Sequence, residues 1–83
     1  MNKKITIAAA GNTEPPAYKL IKDIGFKIEK KGDSLIAKKD NLTFYASGAL
    51  ELAGLIFLYE SKGENWKVAD EIIDEYCDLF KDD

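Results

Sequence analysis

The chain has 83 residues, 46% hydrophobic and 33% charged, with a formal net charge of −3. A chain of this length has room for one core that buries about 60–65% of the unfolded surface, so a single compact α+β domain over 1–83 is expected. The composition excludes a disordered tail, a collagen-like repeat and a disulfide scaffold.

The missing residue types narrow the chemistry. All 12 basic residues are lysine, histidine is absent, and Cys77 is the lone cysteine. Ser–His and Cys–His nucleophile pairs are therefore ruled out, and so is the usual neutral-pH general base. Zinc sites draw on four Cys or His ligands, and no stretch has calcium-loop spacing. The expectation is a protein that is not an enzyme and needs neither metal nor cofactor. Residues 1–10 pair lysines with a short apolar run, but Asn12, Thr13 and Glu14 end it before the roughly 7–15 apolar residues of a secretion signal are reached. No run nears the roughly 20 residues of a membrane span. The expected setting is cytoplasmic, with a reduced cysteine and no membrane contact.

In chain order, residues 3–10 read as a strand, with Ile5 and Ile7 alternating against Lys4 and Thr6. A turn follows over 11–16. Glu14 and Pro15 each precede a proline, which favours extended backbone, so Pro16 is expected to open the first helix. Ala17, Leu20, Ile21 and Ile24 recur at helical spacing, and Gly25 is a left-handed stop with Phe26 placed to pack back on the helix. A three-strand meander is expected over 26–46. Phe26 and Ile28 share one face, as do Leu42, Phe44 and Ala46, while Lys31-Gly32-Asp33 and Lys39-Asp40-Asn41 form the turns.

Ser47 is the expected N-cap of a second helix whose body, 49–59, is apolar on nearly every side. A helix of that kind needs cover on more than one side. Gly63 should stop it. A last helix, starting after Asn65 or at Asp70, carries Ala69, Ile72, Ile73, Tyr76 and Phe80 as an apolar stripe. The order β-α-β-β-β-α-α predicts a four-stranded mixed sheet with helices packed on it, the middle helix lying between the sheet and the last helix.

Charge is unevenly spread. Residues 1–45 hold nine lysines and five acids, a balance of +4, whereas residues 46–83 hold three lysines and ten acids, a balance of −7. Asp70, Asp74 and Asp78 are spaced i,i+4, as are Glu71 and Glu75, and like charges at that spacing cost a few tenths of a kcal/mol per pair. A solvated face accounts for such a helix, and so does a docking surface for a basic partner protein. The second reading makes Asp70, Glu71, Asp74, Glu75 and Asp78 the contact residues, with Trp66 as an anchor. It predicts a small interaction module of the acidic inhibitor or immunity type, monomeric or weakly dimeric.

The alternative is a small-ligand or anion site in the strand–turn–helix segment at Gly11, Asn12 and Thr13. Against it, Pro15 and Pro16 remove two N–H donors, and Glu14 repels anions. Nucleic-acid binding through Lys27, Lys30, Lys31, Lys38 and Lys39, with Phe44 or Tyr45 stacking a base, is less expected, because arginine is absent and the net charge is negative. Cys77 has no basic neighbour to favour a thiolate.

Overall fold

The computed structural model describes residues 3–81. Helix α1 (Glu14–Asp23) follows a 3-10 turn at Gly11–Thr13. Three strands come next, β1 (Lys27–Lys31), β2 (Ser34–Lys39) and β3 (Leu42–Ala46), and then α2 (Ala49–Lys62), a 3-10 turn at Gly63–Asn65 and α3 (Asp70–Asp78). The strands form an antiparallel sheet in the order β1-β2-β3.

The sheet corrects the expected four-stranded mixed arrangement: it has three strands and is wholly antiparallel. Residues 3–10 are not a strand, and Ile5 and Ile7 are 72% and 83% exposed. A fourth strand would need a sheet edge to pair with. Both edges, β1 and β3, stay open among the described residues, and two exposed isoleucines supply little apolar area to draw the segment onto either.

The meander follows the period-2 pattern. Lys31 pairs with Ser34 and Lys39 with Leu42, so each connection is two residues long. Both turns use left-handed backbone, Gly32 at φ 61° and Asp40 at φ 54°, as tight hairpins require. The register places Ile28, Ala37 and Phe44 side by side on one face and Glu29, Ile36 and Tyr45 on the other. Within the apolar run Leu35-Ile36-Ala37, Leu35 and Ala37 face the helices. Ile36 faces outward, yet it is buried between Glu29 and Tyr45, whose long side chains shield it.

Helix α1 ends as its sequence suggests. Gly25, at φ 101°, donates its N–H to the Lys22 carbonyl, and Phe26 donates to the Ile21 carbonyl. These two bonds make a Schellman motif. Phe26 then enters the core beside Ile21, with Ala37, Ala46, Leu52 and Ile56. The Lys39 Nζ donates to the Ile24 carbonyl at 2.8 Å, giving the helix end a cation as well.

Two local expectations are corrected. Glu14 is helical, with φ −66° and ψ −52°, and Pro15 is helical too, so α1 opens at Glu14 and not at Pro16. The steric bias before proline is overridden by a tertiary contact, since the Glu14 carboxylate accepts the N–H groups of Ala49 and Leu50. For the same reason Ser47 is not the N-cap of α2. That position falls on Gly48, and Glu14 supplies the capping oxygens. Gly63, at φ 61°, ends α2 by donating to the Tyr59 carbonyl.

The last helix departs furthest from expectation. It begins at Asp70, but it does not lie over α2. Every residue from 64 to 81 is exposed. The outward side of α2 is correspondingly bare, with Phe57 73% exposed. The core is made by one face of the sheet, α2 and α1 alone.

Candidate interaction surface

Helix α3 is amphipathic and undocked. At 100° per residue, Leu79, Ile72, Tyr76, Ala69, Phe80 and Ile73 fall within an arc of about 120°. Tyr76 and Phe80 meet edge-to-face with ring centroids 5.0 Å apart. Leu79 joins the stripe predicted from the sequence, and the stripe has no cover: Ile72 and Ile73 are about half exposed and Leu79 and Phe80 more so.

The five acidic residues take distinct places around this stripe. Glu75 borders one edge of the stripe and Asp70, beyond Cys77, the other, while Glu71, Asp74 and Asp78 project from the opposite side. Asp70 and Glu71 sit in the first turn, where the helix dipole favours them. Asp78 lies at the unfavourable end and is joined to Lys81 at 2.9 Å. That pair is mostly exposed and therefore weak. Cys77 is a free, exposed thiol on the Asp70 flank.

Trp66 stands apart from the acids. It is 47% exposed and, with Phe44, Leu55, Leu58 and Tyr59, lines an open groove of about 180 Å³. Phe44 holds the floor, edge-on to both Phe26 and Tyr59. A second groove of about 260 Å³ lies between α1 and α2, lined by Leu20, Ile24, Ala53, Phe57 and Glu60 among others. Both are smaller than the roughly 300–1,000 Å³ of small-molecule pockets. The first groove escaped sequence reasoning because its walls come from β3, α2 and the segment after α2. The available signal was the apolar circumference of α2, which called for more cover than one sheet provides.

The other candidate residues lie elsewhere. Gly11, Asn12 and Thr13 form the 3-10 turn. The Thr13 hydroxyl is engaged there, donating to the Ala10 carbonyl at 2.6 Å and accepting from the Ala10 N–H at 3.3 Å. The next residue, Glu14, turns its carboxylate onto α2.

Of the lysines, Lys27, Lys31 and Lys38 share the open sheet face with Tyr45, while Lys30 and Lys39 are on the helix-covered face. Phe44 is committed to the core side, so a base could stack only on Tyr45. Among the described residues no three carboxylate or thiol groups converge as metal ligands would. No described helix is long and apolar enough to cross a membrane. Comparison with protein-family models, curated proteins and solved structures finds no match to this chain.

Proposed function

We propose that this chain is a non-catalytic protein-interaction module of the cytoplasm that presents the acidic side of α3 to a basic partner protein, as a small acidic inhibitor or immunity-type protein does. The observation that carries this reading is the exposure of α3. Asp74 and Asp78 project from a helix that contributes nothing to the core, Asp78 held only by an exposed pair with Lys81, so both carboxylates face solvent where a partner can meet them. Residues 70–83 hold seven acids and one lysine, and such a local field speeds encounter with a basic surface in a salt-dependent way. The Gly11–Thr13 turn supports an anion site less well, because its hydroxyl is engaged locally and a carboxylate follows it.

The test is capture of partners from native lysate, followed by kinetics with the variant Asp70→Lys, Asp74→Lys, Asp78→Lys. The apolar stripe and the core are untouched, so the amide shifts of α1, the sheet and α2 should be unchanged, and circular dichroism reads any helix lost from α3 separately. Association with the captured partner should slow markedly at low salt and much less at high salt. Wild-type kinetics at low salt would refute the reading.

A further inference from the structure

We infer that a second copy of this chain covers the groove lined by Leu55, Leu58, Tyr59 and Trp66, each copy laying the apolar stripe of its α3 into the groove of the other. The acidic side of α3 invoked above stays outward in this arrangement, so the two proposals stand or fall separately.

The first argument is area. The chain exposes 7306 Å², whereas a compact protein of its 9.3 kDa mass exposes about 5,000 Å². The radius of gyration is 15.6 Å, against about 12 Å for a compact chain of this length. The excess, about 2,300 Å² per chain, is shared between the exposed segment 3–10 and the bare stripe and groove, and an obligate dimer interface buries about 2,000–5,000 Å² in total over both chains.

The second argument is charge. Lys62 lies one turn beyond Leu58 and Tyr59, on the groove side of α2, and the Lys67 ammonium is 5.7 Å from the centroid of the Trp66 ring. Neither lysine is in an ion pair among the described residues. The groove is thus apolar, with no carboxylate in its wall and two lysines at its Trp66 end, where Glu64 also lies, while Glu51 is a turn before Leu55 at the other end. The stripe of α3 is its complement, apolar with Glu75 along one edge. The groove between α1 and α2 has Glu60 in its wall and would repel the same helix.

The third argument is connection. Three residues join Trp66 to α3, and Ala69 is extended, at φ −70° and ψ 159°. This short link carries α3 away from the groove beside which it starts. Short hinges of this kind favour exchange between copies. Reciprocal exchange about a two-fold axis covers both stripes and both grooves and leaves no open end.

The experiment combines mass with proximity. Light scattering at micromolar concentration should give twice the single-chain mass, and Tyr76→Asp should restore the single-chain mass while the amide shifts of α1 and the sheet stay unchanged. Lys62→Glu with Lys67→Glu should weaken association about tenfold or more at low salt. A nitroxide on Cys77 of natural-abundance chains, mixed with isotope-labelled chains carrying Cys77→Ser, should broaden the Leu55, Leu58 and Trp66 signals of the labelled copy. Three results would overturn the inference. One is a single-chain mass up to about 500 μM. Another is that the groove signals stay sharp in this mixture but broaden in isotope-labelled chains that carry the nitroxide themselves and are diluted with natural-abundance Cys77→Ser chains, which would mean that α3 folds back on its own groove. The last is a dimer whose groove signals are untouched.

Discussion

The carboxylate of Glu14 caps a helix that begins 35 residues later: the N–H of Ala49 donates to its Oε1 at 2.6 Å. The N–H of Leu50 donates to Oε2 at 3.2 Å. The contact joins the start of α1 to the start of α2 and satisfies two of the donors that every helix leaves open at its N-terminus. Gly48 makes room for it, because a Cβ there would lie 2.7 Å from the Glu14 Oε1.

Glu14 and Gly48 should therefore be coupled. Glu14→Ala should cost about 1–2 kcal/mol, as loss of an N-cap does. Gly48→Ala should also destabilise the wild type, by displacing the carboxylate. In the Glu14→Ala background the same glycine substitution should cost clearly less, since nothing then occupies the space of the new Cβ. Urea unfolding of the four proteins in a double-mutant cycle measures this, and additive effects would show the two residues to be independent.

Two glycines should respond with opposite sign. Gly25 has φ 101° and a new Cβ would lie 3.3 Å from the Lys39 Cε, so Gly25→Ala should destabilise by about 1–2 kcal/mol. Gly54 is inside α2, with nothing within 4 Å of a new Cβ. Gly54→Ala should stabilise by about 0.5–1 kcal/mol through helix propensity. Thermal unfolding of both variants is the check.

The core is small enough for one residue to decide stability. Leu52 is fully buried, between the sheet and α1. Leu52→Ala should cost about 2–5 kcal/mol, out of a total of about 4–12 kcal/mol for a chain of this length. Partial unfolding at room temperature is expected, visible as a lowered urea midpoint with an unchanged slope.

Helix α3 should be the least protected helix in dilute solution. It is short and lacks tertiary support, and isolated helices of fewer than about 12–15 residues are marginal in water. Hydrogen exchange should show its amides opening far more readily than those of α2. If copies exchange α3, its protection should rise with protein concentration. The emission of Trp66, the only tryptophan, should shift to the blue in parallel. Protection independent of concentration would mean that α3 is not covered by another copy.

The meander, the Gly25 stop and the Gly63 stop were legible in the residues themselves, because each is decided within a few positions. Lys27, Ile28 and Glu29 alternate as a strand with one wet face must, and Gly32 and Asp40 supply the positive φ that a two-residue turn needs. The acids of α3 and its stripe were legible for the same reason: helical periodicity is a local property. What those faces meet is not local. Residues 3–10 alternate well enough for a strand, yet whether a strand forms depends on what a distant sheet edge offers, and they pair with neither β1 nor β3. The N-cap of α2 comes from Glu14, far upstream, where preference before proline pointed the other way. The groove beside Trp66 draws its floor from β3 and its wall from α2. Local sequence determined the elements and their faces, since dihedral preference and side-chain period act over a few residues. Only the tertiary structure decided which faces are covered, because burial is settled by the competition of distant segments for the same surface.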